Sequence, residues 1–425
     1  MSTAERTPPI HDPYAAFRVP YVWRYLLGTT LVQIGMGAQA LAMGWDIYQR
    51  TGQPLSLGLV GGVQALPMLL LSLPAGYLAD RFDRRKLIAL CLCGVALCSL
   101  GLAWVSYTRG SITLMYLLLL LDATFMTLER PAGAAILPSL VPLSVLENAM
   151  KWRMSMFQVS SMAGPALGAA ILVWSVPAAY VTNALFALVF IGLLLSLRLQ
   201  ASPAAAGDMS LATVLAGVRF VWSRKVVLAT ISLDLFAVLL GGAVYLLPVY
   251  AKDILHVGAS GLGWLRAAPA VGAFCTAVLL AHLPPMRKAG RAMLLAVAGF
   301  GLATIVFGLS RNFLLSWAML FLTGAMDNVS VVVRHTLIQL LTPDAMRGRV
   351  SAVNNIFIGS SNEVGGFESG MVAQAFGPTA SVVVGGIGTL LVVALWTATF
   401  PHLRRFGSLS IMPAEEAPSQ GAPIS

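Results

Sequence analysis

The chain has 425 residues, of which 58% are apolar and 10% charged, against about 25% charged residues in soluble domains. A mean hydropathy of +0.81 leaves too little polar side chain to cover a water-exposed surface, so most of these side chains face lipid. Soluble enzymes, disordered chains, collagens and disulfide scaffolds are excluded.

Long apolar runs predict twelve membrane spans, at 25–48, 57–79, 87–107, 111–128, 147–173, 176–197, 226–250, 258–281, 291–309, 312–338, 350–375 and 378–400. A β-barrel would show ten-residue alternation instead of solid runs. The first 20 residues carry Pro and mixed charge with no apolar core, so span one itself is expected to start insertion. The last 20 are rich in Pro, Ala, Ser and Glu and read as a disordered tail. Cys91, Cys93, Cys98 and Cys275 all fall within spans, where a Cys is expected to act as a small buried hydrophobe.

A net charge of +10 raises the question of nucleic acid, but the distribution of the 27 Lys and Arg points to membrane topology. Twenty-two lie before span one, after span twelve, or in alternate loops and the span ends that border them, the loops including Arg81, Arg84, Arg85 and Lys86 after span two. The opposite loops hold Arg50, Arg109, Lys252 and Arg311, and Arg266 alone sits within a span away from the basic-loop ends. This bias places both termini in the cytoplasm.

The longest inside loop divides the chain almost in half. The expected organisation is a cytoplasmic tail (1–20), a six-helix bundle (21–198), a linker (199–225), a second six-helix bundle (226–402) and a tail (403–425). Within the linker, 210–225 is basic and amphipathic, suited either to the membrane surface or to a cytosolic connector. Overlaying the halves at an offset near 200 matches Pro67 with Pro269, Arg130 with Arg334, and Phe157, Ser160 and Ser161 with Phe357, Ser360 and Ser361. Such register over three helix pairs predicts two pseudo-symmetric bundles with a substrate path between them.

Between spans two and three the chain reads Gly76-Tyr-Leu-Ala-Asp80-Arg81-Phe-Asp83-Arg84-Arg85-Lys86. This resembles the loop motif of the major facilitator superfamily, Gly-x-Leu-Ala-Asp-Arg-x-Gly-Arg-Arg-Lys, with Asp83 in place of its second Gly. The resemblance implies the major facilitator fold, an all-α membrane protein, and makes Gly76, Asp80, Arg81 and Arg84 conformational-lock residues that tie the halves shut on the cytoplasmic side. Asp83 adds a carboxylate within reach of Arg347 or Arg349, and Glu129, Arg130 and Arg334 are expected to join this gate network. Arg130-Pro-Ala, Leu137-Pro138-Ser139, Glu147-Asn-Ala and Thr342-Pro-Asp-Ala-Met-Arg-Gly-Arg-Val350 look like the enterobactin-exporter-like branch. That branch exports siderophores and hydrophobic drugs. Gly164-Pro165-x-x-Gly168 is similar to the motif of drug/proton antiporters, though Ala169 replaces its last Gly. It reads either as a kink at which helices slide or as an ordinary packing contact.

A charge near mid-bilayer costs at least about 2.5–3.5 kcal/mol on insertion scales, so each such residue is a functional candidate. Asp122 lies about 16 Å into span four at 1.5 Å per residue. Glu363 stands opposite Ala163 in the overlay, so that acid belongs to one half only. Asp234 and Asp327 complete the proton-coupling candidates, with Asp122 and Asp327 also suited to a structural helix–helix pair. Asp46, beside Arg50, is expected at the outer interface. Glu368 is about 140° around the helix from Glu363 and is placed near the outer mouth. For substrate, Gln33, Gln39, Gln64, Asn183 and Asn354 offer neutral hydrogen bonds among Phe, Trp and Met. Arg266, opposite Gln64 in the overlay, suits either a phenolate or carboxylate of the substrate or a pair with Asp234.

No phosphate-binding loop for ATP, no metal-ligand spacing, no cofactor motif and no nucleophile–base grouping appears. The expectation is a monomeric, non-enzymatic secondary transporter of the inner membrane, without cofactor, ATP or nucleic acid. Its partners are a small-molecule substrate, protons and membrane lipid. It exports an amphipathic compound in exchange for protons. The alternatives are uptake or flipping of an amphipathic solute or lipid, and a non-transporting membrane receptor or assembly partner.

Overall fold

The computed structural model describes residues 12–197, 211–284, 286 and 288–401. The C-terminal tail, residues 1–11, the linker from 199 to 210, and Arg6, Arg198, Arg287, Arg404 and Arg405 lie outside the described residues.

Backbone N–H and C=O groups find no water in hydrocarbon and must pair within the protein. Among the described residues this is done by helices alone. Spans one to six are Val22–Thr51, Pro54–Arg81, Arg84–Tyr107, Ile112–Leu140, Leu143–Leu172 and Val176–Leu195. Span seven starts as Lys225–Leu240, and spans eight to twelve are Gly258–His282, Ala289–Leu309, Phe313–Leu341, Asp344–Phe376 and Pro378–Thr399. Eleven of the twelve meet the length and apolarity of a membrane crossing. Span eleven, 33 residues long, is the more polar exception, and it is packed between spans two and seven.

Several helices overrun the predicted bounds at the end that carries the termini and the basic loops. A 30-residue helix such as span one is about 45 Å long, well beyond a hydrocarbon core of about 30 Å, so its last turns stand in the head groups and water. Local chemistry sets the ends. Gly52 closes span one at φ 64°, and Pro lies in the first turn of spans two, six and twelve, where no N–H partner is required.

Span seven departs most from expectation. Instead of running unbroken to 250, it stops at Leu240, passes through a 3₁₀ turn (Gly242–Leu246) and a single α turn (Leu247–Val249), and finishes as a π-helical turn (Tyr250–Ile254). Gly241 and Gly242 weaken the helix, and Pro248 has no N–H to continue it.

Two segments expected outside the bundles, in the N-terminal tail and the linker, are attached to them. Ala15–Arg18 forms a helical turn under span five, where Asn148 Oδ1 accepts from the Ala16 amide at 3.0 Å and Trp152 Nε1 donates to the Pro13 carbonyl at 2.9 Å. The linker helix Leu211–Ser223 buries Val221 in the core of the second bundle, and Gly217 lies so close to span eleven that a Cβ there would come within 2.9 Å of the Arg349 carbonyl. Cys93 and Cys275 are exposed, unlike the buried Cys91 and Cys98.

The packing repeats itself. In the first bundle spans one–six, one–five, three–six, two–four and three–four pair; in the second, seven–twelve, seven–eleven, nine–twelve, eight–ten and nine–ten do the same. Between bundles, span two meets eleven and span five meets eight, two contacts exchanged by the same pseudo-twofold. At the far end, opposite the termini, buried side chains from all twelve spans form one apolar cluster that includes Tyr48, Leu57, Tyr180, Leu246, Leu262 and Phe307. At the basic end the core divides in two, one cluster within each bundle. The halves are thus joined at the far end and have separate cores at the basic end.

Helices reach such closeness in lipid through small residues. A Cβ on Gly324 of span ten would lie 2.5 Å from the Pro269 Cα of span eight. Gly324→Val should therefore cost about 1–3 kcal/mol through overpacking, measured as a lower Tm of the detergent-purified protein. Gly192→Ala, where nothing lies within 4 Å, should leave Tm unchanged or raised.

Candidate functional site

A cavity of about 260 Å³ lies between the bundles, lined by spans one, two and four of the first and by seven, eight and eleven of the second. Gln39, Gln64, Asp122, Arg130, Arg266 and Glu363 all reach its wall, though they are scattered over 325 positions of sequence. The remainder of the wall is mainly aliphatic, with Met36, Met43, Met68 and Met126 supplying its most adaptable part. Phe and Trp, expected there, are absent from the lining, and Tyr245 is its aromatic residue.

On the first bundle's side, a polar network ties four helices together. Gln39 Nε2 donates to Asp122 Oδ2 at 3.4 Å, while its Oε1 accepts from Ser99 Oγ at 2.8 Å and from Asn183 Nδ2 at 3.0 Å. Asn183 Nδ2 also lies 3.0 Å from Ser99 Oγ. Asn183 is fully buried behind Gln39 and is not on the cavity wall, which corrects its expected place as a substrate contact. It fits because Gly35 is opposite: a Cβ at Gly35 would lie 2.6 Å from Asn183 Oδ1. Asp122 is 6% exposed, and its Oδ1 has no hydrogen-bond partner. The helix–helix bond weighed for Asp122 exists, but to Gln39 rather than to Asp327, which stands in the other bundle.

On the second bundle's side the broken part of span seven forms the wall. In a continuous helix the amide of residue 248 would bond to the Val244 carbonyl, but Pro248 has none to give. Val244 O accepts instead from the Leu247 amide in the 3₁₀ turn, and Arg266 Nη1 from span eight donates to it as well at 3.1 Å. Arg266 is therefore not paired with Asp234. Tyr245, one residue on, donates its hydroxyl to Glu363 Oε2 at 2.6 Å. Its ring is seated against two glycines, Gly61 of span two and Gly366 of span eleven; a Cβ on either would come within 3.4 Å of it. Tyr245 was absent from the sequence-derived candidates, and the nearby signal was the pair Gly241-Gly242 followed by Pro248.

The remaining candidates lie elsewhere. Asp234 forms a buried ion pair with Arg334, their side chains 6% and 3% exposed, inside the second bundle. Arg334 is thus engaged across spans seven and ten, in place of the expected network with Glu129 and Arg130. Asp327, Gln33 and Asn354 are off the cavity wall; Gln33 is exposed, and Asn354 is 2% exposed. Glu368 is also off the wall and accepts from Ser369 Oγ at 3.4 Å. Asp83 caps span three, its Oδ1 accepting from the Arg85 and Lys86 amides at 2.9 and 3.3 Å. Its expected pairing with Arg347 or Arg349 is replaced by this local role. Asp80 at the end of span two and Arg84 at the start of span three lie 3.9 Å apart, and Arg81 donates to Tyr77 Oη at 2.6 Å. Gly76 is buried beside them, and Arg349 is exposed with Nη1 3.5 Å from Met346 Sδ.

The far end seals the cavity. Gly58 and Gly370 of spans two and eleven touch backbone to backbone, with a Cβ on Gly370 only 2.5 Å from Gly58 Cα. Gly164, Pro165 and Gly168 pack span five onto span one at Gly37 and Ala38. Ala169, where the antiporter-like motif lacks its last Gly, abuts Gly263 of span eight, so the small residue is supplied by the partner helix. Tyr48 at the end of span one donates to Asp253 in the π-turn of span seven, and Lys252 lies 5.3 Å from the Tyr48 ring centroid.

Known proteins match this arrangement. The sequence profile of the transmembrane secretion effector family covers residues 11–422. The chain is 29% identical over 397 residues to the enterobactin exporter EntS of Citrobacter koseri, covering 92% of this chain and 94% of that one. The same identity holds over 399 residues for the EntS of Shigella boydii serotype 18, with the same coverage. In fold, a bacterial homologue of the human lysosomal transporter Spinster, solved inward-facing and occupied, aligns with a TM-score of 0.73 at 15% identity over 93% of this chain and 99% of that one. A D-xylose–proton symporter aligns with a TM-score of 0.71 at 12% identity over 90% and 99%. The chain belongs to the transmembrane secretion effector family of the major facilitator superfamily and is a multi-pass membrane transporter.

Proposed function

We propose that this chain exports a small amphipathic organic compound, of the siderophore or hydrophobic-drug class, from the cytoplasm across a bacterial-type inner membrane by proton-coupled alternating access. The observation that carries the reading is the cavity built from both bundles and shut at the far end, with two guanidiniums, two carboxylates and two amides on a methionine-rich wall. With the basic loops and the termini cytoplasmic, the shut side is the outer one and loading takes place from within. Arg130 and Arg266 offer positive charge to an acidic substrate, while Gln39 and Gln64 supply neutral bonds. At about 260 Å³ the cavity falls just below the roughly 300–1,000 Å³ of ligand pockets, and the methionines give it the freedom to reshape. The exporters named enterobactin exporter EntS, alike over 92% of this chain, support a siderophore as cargo.

Glu363 and Asp122 are the proposed proton carriers, because both reach the cavity and each keeps a hydrogen-bond partner within its own bundle. In inverted vesicles, substrate-induced proton release with a catechol siderophore or a hydrophobic cation should be lost in Glu363→Gln or Asp122→Asn, while substrate binding persists within about threefold. Accumulation without proton movement in the wild type would remove the coupling.

Asp234 is assigned a structural part on its buried pair with Arg334. Asp234→Asn leaves a buried guanidinium unpaired and should cost about 3–5 kcal/mol, seen as a large drop in Tm. Full stability with lost coupling would instead make Asp234 a proton carrier. The gate role proposed for the Asp80 loop is tested by Asp80→Asn. Its pair with Arg84 is partly exposed, with the Asp80 side chain 38% accessible, and such pairs contribute about 0.2–1 kcal/mol. Insertion and Tm should hold while transport falls at least threefold; wild-type turnover would remove the gate assignment.

A further inference from the structure

A second cavity, of about 700 Å³, opens at the far end of the first bundle among the ends of spans one, three and six. It stands off the transport path, because the bundles meet through spans two, five, eight and eleven. Spans three and six instead show apolar faces to the membrane: Leu97 and Trp104 on one are 69% and 63% exposed, and Leu185 on the other 54%. Tyr107 and Trp174, 80% and 88% exposed, stand beside the opening, at the level where aromatic residues mark a membrane interface.

The charges in this cavity do not neutralise one another. Only four of the 27 Lys and Arg fall in the far-end loops, and two of them, Arg50 and Arg109, line it together with Asp46. Asp46 is 7% exposed and accepts a long 3.5 Å bond from Tyr180 at Oδ2. Its Oδ1 takes no hydrogen bond, and neither Arg lies within ion-pair distance of an acid, among the described residues. Arg50 is fixed by bonds to the Gly110 carbonyl and to Met115 Sδ. This anchors the turn that holds Arg109 at φ 50°, a conformation costly for any residue but glycine, although Gly110 is the next residue. A buried carboxylate and two guanidiniums without counter-charges, around a space at interface depth, complement a ligand with both an ammonium and a phosphate.

We propose that this cavity binds the zwitterionic head group of a phosphatidylethanolamine-type lipid from the outer leaflet, its phosphate at Arg109 and Arg50, its ammonium at Asp46, and its acyl chains along spans three and six. The test is native mass spectrometry of delipidated, detergent-purified full-length protein titrated with short-chain phosphatidylethanolamine, phosphatidylcholine and phosphatidylglycerol. Glycerophosphoethanolamine and inorganic phosphate serve as head group and anion without acyl chains. Phosphatidylethanolamine should bind at least fivefold tighter than the other two lipids, and the soluble probes at least a hundredfold more weakly. Arg109→Ala, at an exposed position, should weaken that binding about tenfold, and Asp46→Asn should erase the preference over phosphatidylcholine. Equal binding of the three lipids, no effect of Arg109→Ala, or inorganic phosphate binding as well as the lipid would each overturn the proposal. If Asp46→Asn melts early, the selectivity of the wild type and the Arg109→Ala titration decide.

Discussion

Everything functional in this molecule depends on how closely backbone can approach backbone at the far end. Hydrocarbon offers no hydrophobic drive for one apolar helix to leave lipid for another, so contact must come from van der Waals packing, which small residues permit. Gly58 against Gly370 and Gly263 against Ala169 provide it at the two crossings related by the pseudo-twofold. A single core with contributions from all twelve spans forms there, whereas at the basic end each bundle keeps its own. Closing one end and dividing the other leaves a space midway between the bundles, and the cavity occupies it.

The polar groups of that space are costly to hold in a membrane, and the structure answers the cost differently in each bundle. In the first, Gln39 serves as a hub that bonds to Ser99, Asn183 and Asp122 together. In the second, the helix itself is interrupted. The Val244 carbonyl accepts from the Leu247 amide in the 3₁₀ turn and also from a guanidinium of the neighbouring span. Irregular backbone at this depth is tolerated where protein or a cavity surrounds it, and the broken stretch carries Tyr245 to Glu363 and Asp253 to Tyr48. Cavity wall and far-end closure are therefore parts of one segment.

Much of this was legible along the chain. Twelve crossings followed from apolar runs, the halves from matched residues such as Pro67 and Pro269, and the family resemblance from Gly76 to Lys86. Asp122, Glu363 and Arg266 stood out because charge in hydrocarbon needs a reason. Asp234 stood out on the same ground, yet it and Arg334, expected in the gate network, neutralise each other away from the cavity. Charge alone does not distinguish a site from a buried pair. Asp83 was misjudged for a related reason: three residues of local geometry made it a helix cap before any distant Arg came into question.

The sequence by itself determined the solvent, the helical class, the number of crossings and the residues that lipid would penalise, because each follows from the transfer cost of a residue or a run of residues. Which penalised groups share a cavity, which partner each takes, and that span seven breaks to bring Tyr245 against Glu363 were decided by tertiary structure. Those outcomes depend on distances between helices far apart in the chain, set by glycine contacts and by side chains such as Arg266 that reach across from a neighbouring helix.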